Sequence, residues 1–312
     1  MSETGRHKTV SGETAGKAPG TRSLAARNTQ QIGLVTDQPN PQYVVDMQTG
    51  ILSGLDESTY QLVVRPCDRA SPTLREDICR IVRLQRLFGV ILTPSISEDE
   101  ELAAALRRQN CPYVRIAAVS LDAEDRMIET HDFVGAAQAA RYLAELGHRQ
   151  VAHVRGPDHF LSSHERLRGF RMGLAVHDLN VDDRYILQGG YTFESGVRCG
   201  DELLGMSELP TAVFAGNDEM AVGIYQSARR AGVRIPEDLS IIGYDDGLVA
   251  RRICPTLTTI RLPIPYMGTL AAQLLVSAND EASMEPPLAT SVIPRLVVRD
   301  STAPPRRRNG KA

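Results

Sequence analysis

No stretch of this 312-residue sequence approaches the roughly 18 uninterrupted apolar residues that a membrane-spanning helix requires. Met1 to Gly20 is polar and has no apolar h-region, so neither a membrane anchor nor a secretory leader is expected and the chain is expected in the cytoplasm. Cysteine is scarce: Cys67, Cys79, Cys111, Cys199 and Cys254 are odd in number, scattered, without a C-x-x-C pair or a histidine at ligand spacing. That pattern excludes a zinc ribbon and a disulfide framework and leaves buried free thiols as the expectation. Catalytic signatures are missing too. There is no G-x-G-x-x-G after the first strand, no G-x-x-x-x-G-K-[ST], no G-x-S-x-G elbow and no H-E-x-x-H, and the seven histidines do not cluster. No cofactor, metal site or catalytic residue is therefore expected, and the chain reads as a non-enzyme. His153 lies in an apolar strand and reads as a satisfied core residue, and His148 reads as a cap favoured by a helix C-terminus. Positive charge is not in excess either: a net charge of −3 and a pI near 6.2 argue against a body that coats nucleic acid.

What is present is an ordinary globular composition, 42% apolar and 23% charged, in a chain long enough to split into two lobes. Residues 1–20 show no apolar period and are expected to be disordered, and the tail from Arg306 to Lys311 reads as a solvated basic end. From Ile32 onward strand and helix patterns alternate. Strands are expected at 32–35, 61–66, 89–94, 113–118, 151–156, 185–188, 212–216, 239–244 and 292–298. Helices are expected from the DQPNP turn (37–41) to about 57, then over 73–88, 98–109, 135–147, 164–178, 194–205, 218–232 and 263–278. Parallel strands need crossover connections, so this order predicts an α/β protein with parallel sheets. About ten strands exceed a comfortable single open sheet, which predicts two Rossmann-like lobes of five or six strands each.

Ligands in such sheets bind beyond the carboxyl ends of the strands, and here those loops are polar. Arg166 follows the strand at 151–156, Asn217 and Asp218 follow 212–216, and Asp245 and Asp246 follow 239–244. A guanidinium, an amide and a carboxylate at three strand ends can orient a ligand rich in hydroxyls. Each residue also has a plain alternative: helix capping for Asn217 or Asp218, an Asx turn ahead of Gly247 for Asp245 and Asp246, and a surface pair with Glu165 or Asp158 for Arg166.

In order along the chain, TRSLAARNTQQIGLV (21–35), HDFVGAAQAARYLAELGHRQVAHVRGP (131–157), RLRGF (166–170), TAVFAGNDEMAVGIYQSARRAGVRIPEDLSIIGYDD (211–246), LTTIRLP (257–263) and VIPRLVVRDST (292–302) resemble the lactose-repressor and galactose-repressor family of bacterial transcription factors. The resemblance covers nearly everything after residue 20. It implies a periplasmic-binding-protein-like core, a homodimer, operator DNA as a partner, and an interlobe cleft for a sugar, nucleoside or related small molecule. It assigns 31–131 plus 262–286 to an N-terminal lobe and 132–261 plus 287–303 to a C-terminal lobe, between a hinge-like segment at 21–30 and a basic tail at 304–312.

The resemblance also implies roles for single residues. Arg166 stands where the family has its cleft arginine, and Asn217 and Asp245 stand where an amide and a carboxylate read hydroxyls. Asp132 holds the acidic position at the lobe crossover. Phe160 and Ser162 fall on the variable loop, Tyr191 takes the place of a stacking aromatic, and Tyr43 lies at the first strand-to-helix entrance. Two departures, Val44 and Phe133, are expected to make the pocket more apolar than in relatives. A third is larger: relatives begin with about sixty residues forming a helix-turn-helix and a hinge helix, whereas about twenty residues precede TRSLAARNT here. Leu24 aligns with the leucine that relatives wedge between base pairs, flanked by Arg22 and Arg27 as phosphate contacts. The expected function is a transcriptional repressor sensing a sugar or similar small polar metabolite. The alternative is a cytoplasmic sugar-binding sensor with no DNA-binding activity of its own.

Overall fold

The computed structural model describes residues 30–56, 58–277 and 290–306. Residues 1–20, Arg22, Leu24 and Arg27 of the hinge-like segment, and the tail after Arg306 lie outside the described residues.

The first sheet takes five strands: β1 (Gln30–Thr36), β2 (Tyr60–Pro66), β3 (Leu87–Leu92), β4 (Tyr113–Ala117) and β5 (Met127–Glu129), in the order β2-β1-β3-β4-β5 and all parallel. Three helices connect them, α1 (Pro41–Gly54), α2 (Leu74–Gln85) and α3 (Glu100–Arg108). Alternation along the strands sends side chains to both faces. Ile32, Leu34 and Ile91 pack on one side with Met47 and Ile51 of α1, while Val35, Val90 and Leu92 pack on the other with Ile78, Val82, Leu102 and Leu106 of α2 and α3. A sheet covered on both faces reads as a continuous apolar run, which is how IGLV and GVIL present themselves.

The second half begins with α4 (Asp132–Glu145) and continues β6 (Val151–Arg155), α5 (Leu161–Ala175), β7 (Ile186–Gln188), α6 (Phe193–Leu204), β8 (Ala212–Ala215), α7 (Asp218–Ala231), β9 (Ser240–Asp245), α8 (Leu248–Arg252) and β10 (Thr258–Arg261). With β11 (Arg295–Val297) these strands form a six-stranded sheet of order β11-β10-β9-β8-β6-β7. Its pairs are parallel except β10 with β11. Between β10 and β11 the chain returns to the first sheet as α9 (Ile264–Ser277), which lies against α1, β3 and β4. Gly50 makes that return possible, because a Cβ there would lie 1.8 Å from the Pro265 carbonyl oxygen.

The two-sheet α/β architecture agrees with the sequence-based expectation; the details differ. β5 and β10 were not expected, and α4 and α5 begin three residues earlier than their apolar periods suggest. The final strand is confined to Arg295–Val297 and runs antiparallel. Of the five thiols, Cys254 is exposed and Cys67 half-buried, so the expectation of buried cysteines fails at those two positions. His148 is no exposed helix-end cation. It is buried, with Nδ1 against Thr211 Oγ1 at 2.9 Å and Nε2 against the Ala303 carbonyl at 3.0 Å, and burial lowers its pKa. His153 is a core residue held to the Phe214 carbonyl at 2.9 Å, its pKa pushed down to about 4 by burial. Arg306 pairs with Asp238 at 3.4 Å.

Candidate functional site

Loops leaving the carboxyl ends of strands from both sheets meet at one cavity, as the topology of open parallel sheets requires. From the first sheet come Gln38, Asn40 and Tyr43 after β1, Pro94 after β3, Thr130 after β5, and Met267 of α9. From the second come Asp132, Phe160, Ser162, Arg166, Tyr191, Asn217 and Asp245, with Leu262 at the crossover. All eight cleft residues singled out in the sequence therefore line the same cavity. Gln38, Asn40, Pro94, Thr130, Leu262 and Met267 were not singled out. Asn40 had a local signal, since Asn before Pro at the start of a helix is a cap, and its Oδ1 accepts from the Gln42 amide at 3.0 Å.

Arg166 occupies the centre. It lies one turn after Ser162 on the same face of α5, and α5 lies unusually close to α4 because Gly169 and Gly173 carry no side chain. A Cβ on Gly169 would lie 2.1 Å from the Phe133 carbonyl oxygen. That approach sets the guanidinium on Asp132, the first residue of α4: Nε donates to Asp132 Oδ1 at 2.7 Å and the Asp132 pair is closed by a second contact at 2.7 Å. A further N–H donates to the Gly216 carbonyl, and Asp245 lies 3.9 Å away. The guanidinium carbon stands 3.6 Å from the ring centroid of Tyr244, a stacking contact the sequence did not reveal. The expected surface pairs do not form. Glu165 binds Arg168, Asp158 binds Arg155, and Arg166 is only 6% exposed.

The remaining groups are held by their own backbones. Asn217, and not Asp218, caps α7: its Oδ1 accepts from the Met220 amide at 3.0 Å while its Nδ2 donates to the Tyr191 carbonyl at 2.9 Å. Asp218 is buried below the site, where its two oxygens accept from Thr259 Oγ1 at 2.6 Å and from the Gly247 amide at 2.7 Å. Burial and then the charge of Asp245 raise its pKa well above the ordinary value. The Gly247 bond ties the turn that carries Asp245 to the start of α7, and the Thr259 bond ties β10 to it. In that turn Asp245 and Asp246 both adopt positive φ, 109° and 58°. Asp246 faces away from the cavity into a cluster of Arg251, Arg261 and Arg299; against the cost of burial, the bonds from Arg299 and Arg261 hold its pKa below the ordinary range.

Asp245 has no such donors. Burial raises its carboxyl to about 7, with Arg166 opposing and Asp132, Asp46 and Glu219 adding to the rise. Tyr191, at φ 60°, sets its ring edge-on to Phe160 with centroids 5.4 Å apart and its hydroxyl 3.3 Å from Ser162 Oγ. Tyr43 is the counterpart from the other sheet. Its hydroxyl is buried, lines the cavity and has no hydrogen-bond partner, and burial followed by the charges of Asp245 and Asp132 raises its pKa. A buried hydroxyl without a partner costs free energy unless something else satisfies it.

Val44 and Phe133 do not line this cavity, so the expectation that they make it more apolar is corrected. Val44 is half-buried on α1, and Phe133 is half-buried under the Arg168 guanidinium, 4.3 Å from its ring centroid. Free space in the cavity is about 30 Å³, room for one or two waters and about a tenth or less of a typical ligand cleft. A sugar ring does not fit that space unless the cavity walls move. Among the described residues no group of three or more His, Cys, Asp or Glu is arranged to hold a metal, and no helix is long and apolar enough to cross a membrane.

Comparison with known proteins places this geometry. Residues 140–302 match the model of a periplasmic binding protein-like domain. The chain is 31% identical over 269 residues to the probable HTH-type transcriptional repressor ExuR of Bacillus subtilis (strain 168), covering 83% of this chain and 77% of that protein. It is 30% identical over 265 residues to the ribose operon repressor of Escherichia coli (strain K12), covering 85% and 80%. Its structure superimposes with a TM-score of 0.78 and 27% identity on a LacI family transcriptional regulator from Enterococcus faecium with bound ribose, covering 89% of this chain and 100% of the other.

Proposed function

Because this chain belongs to the lactose-repressor (LacI) family of bacterial transcriptional regulators, we propose that it is a repressor whose interlobe cleft senses a neutral, polyhydroxylated small molecule, a sugar or a close analogue. The observation that carries this reading is the convergence of Arg166, Asp132, Asp245, Asn217 and Tyr191 from one sheet on the unpartnered Tyr43 hydroxyl of the other. Carboxylates accept from hydroxyls, the amide and guanidinium donate to them, and Tyr191 offers a face to ring carbons. One relative is named a ribose operon repressor and one similar structure holds ribose, which supports the same class of effector.

Charge narrows the class. Arg166 is already paired with Asp132 and faces Asp245. A pocket adjoining the cavity at Phe160 carries Asp37 and Asp68 beside Arg69 and His159, and one adjoining it at Asn40 and Tyr43 carries Asp46 and Glu219 beside Arg252. Carboxyl groups outnumber guanidiniums in the cavity and in both adjoining pockets, and an excess of negative charge repels anionic ligands. A uronate or sugar phosphate is disfavoured against a neutral sugar.

The rest of the assignment follows the family. We assign one lobe to 31–131 with 262–286 and the other to 132–261 with 287–303; the partition of β1–β5 and β6–β11 between two sheets supports it. The protein works as a cytoplasmic homodimer on operator DNA, with Arg22, Leu24 and Arg27 as its hinge contacts, and it performs no catalysis. Thermal-shift titration with D-ribose, D-galactose and D-glucose against D-galacturonate and D-ribose 5-phosphate tests the effector class. Stabilisation by a neutral sugar is expected; stabilisation by the anions alone overturns it. Salt-dependent retention of its own promoter DNA tests the regulatory role, and binding that is independent of salt counts against it.

A further inference from the structure

α5 carries Ser162 and Arg166 into the cleft, yet its own N-terminus is incomplete. Its cap residue Phe160 offers no side-chain hydrogen bond, and its first turn contains no acid. The exposed amides of a helix start need acceptors, and negative charge is favoured there. The acceptor comes from the other sheet. Glu98 receives the Leu161 amide on both carboxylate oxygens, at 3.1 and 3.2 Å.

Glu98 is well placed to do this because the turn after β3 is fixed on every side. The Ser97 hydroxyl donates to the Ile116 carbonyl at 2.7 Å, Arg115 Nε donates to the Ser97 carbonyl at 2.6 Å, and the Ser97 amide bonds the Thr93 carbonyl at 2.9 Å. Ser95, at φ 77°, donates from its hydroxyl to Asp37 at 2.7 Å, and its carbonyl accepts from Arg69. Thr93, Ser95 and Ser97 are all buried. The turn is thus a rigid part of the first sheet, and the carboxylate that leaves it crosses to the second. Leu161 lies between Phe160 and Ser162, two residues that line the cavity.

We propose that Glu98 is a positioning residue of the effector site: it caps α5 across the cleft, so that approach of the two sheets and ordering of the first turn of α5 are a single event. The cap exists only while the sheets are together. Parting them leaves the Leu161 amide to water and frees the turn holding Phe160 and Ser162, and closure restores both. The importance of the contact for effector binding rests on the cleft being the effector site, but the contact itself does not.

The test therefore begins without ligand. Amide hydrogen exchange is followed in the intact protein and in Glu98→Ala, Glu98→Gln and Asp99→Ala, the last removing the cap of α3 within the first sheet, where Asp99 accepts the Leu102 amide at 2.9 Å. Loss of a helix cap predicts exchange at Leu161 and Ser162 about 2- to 30-fold faster in Glu98→Ala. An intermediate change is expected in Glu98→Gln, whose amide oxygen still accepts, and none at these positions in Asp99→Ala. Small-angle scattering of Glu98→Ala is expected to show a larger radius of gyration than the parent. Unchanged exchange at Leu161 and Ser162 in both Glu98 variants overturns the proposal, as does an equal increase in Asp99→Ala. If Glu98→Ala does not fold, Glu98→Gln carries the same comparison. A protein that binds no sugar but shows the exchange pattern retains the cap and loses only the effector assignment.

Discussion

Replacing Asp245 by Asn should make the protein more stable, and increasingly so as pH rises. The native carboxyl titrates near 7 because it is buried beside Asp132, with Arg166 3.9 Å away as a partial counter-charge. In the unfolded chain the same carboxyl titrates near its ordinary value of 3.8. A folded-state pKa above the unfolded one means that the folded protein holds the proton more tightly. Its contribution to stability is complete below pH 3.8 and is lost progressively until pH passes 7. Each pH unit in that window costs about 1.4 kcal/mol, or about 4 kcal/mol in all. Asn cannot ionise and keeps the shape of the side chain, so it escapes the loss. Between pH 5 and pH 8 Asp245→Asn should gain about 3 kcal/mol over the parent, on the order of 5–10 °C in melting temperature for a chain of this size. Urea denaturation of both proteins at half-unit pH steps checks this. A stability difference that does not change between pH 5 and 8 refutes the reasoning, because Asp245 would then titrate alike in both states.

Three further substitutions examine other parts of the site. Arg166→Met leaves Asp132 buried without its counter-charge and should cost about 3–5 kcal/mol in denaturation experiments, with loss of effector binding; retention of parental stability would show that Asp132 does not need its partner. Tyr43→Phe removes a hydroxyl that has no partner in the closed structure, so stability should stay within about 0.5 kcal/mol of the parent or rise, while calorimetry should show weaker effector binding. Gly169→Ala places a methyl 2.1 Å from the Phe133 carbonyl oxygen and should cost about 1–3 kcal/mol, since α5 must move off α4; an unchanged melting temperature would mean that this packing is looser than the structure indicates.

The alternation of apolar strands and amphipathic helices made the two-sheet fold legible, because a parallel sheet covered on both faces needs runs such as IGLV and GVIL. β10 was not legible for the opposite reason. Its two buried threonines are satisfied by distant partners, Thr259 by Asp218 at 2.6 Å and Thr258 by Thr302 at 3.1 Å, and nothing local announces that they are inside. β5, three residues long, exists through pairing with β4. The surface pairing considered for Arg166 with Glu165 had a local argument against it, since adjacent helical residues do not face each other; Glu165 instead meets Arg168 three residues on. The true partner, Asp132, is 34 residues away and depends on two glycines for its approach. The sequence left capping open between Asn217 and Asp218, because a shift of one residue at a helix start moves a side chain from capping to burial; Asn217 takes the cap and Asp218 is buried. Glu98 carried no local signal, as its partner is a backbone amide 63 residues away on the other sheet.

The distribution of the cleft residues also sets an order of events. Asp132, Arg166, Tyr191 and Asn217 stand on elements of the second sheet and are joined there by bonds that do not cross the cleft: Arg166 to Asp132 and Gly216, Asn217 to Met220 and Tyr191. Parting the sheets leaves those bonds in place and loosens the turn that carries Phe160 and Ser162. The first sheet contributes Tyr43 to the site and Glu98 to its rim, and these groups lose their place on opening. With about 30 Å³ free when closed, an effector of the proposed class would meet the open form, docking on the half that holds Arg166, Asp132 and Asn217 before the first sheet covers it. Changes at Arg166 or Asp245 then act on that first encounter, whereas changes at Tyr43 or Glu98 act on how long the closed complex lasts, and appear as faster dissociation with little change in association rate.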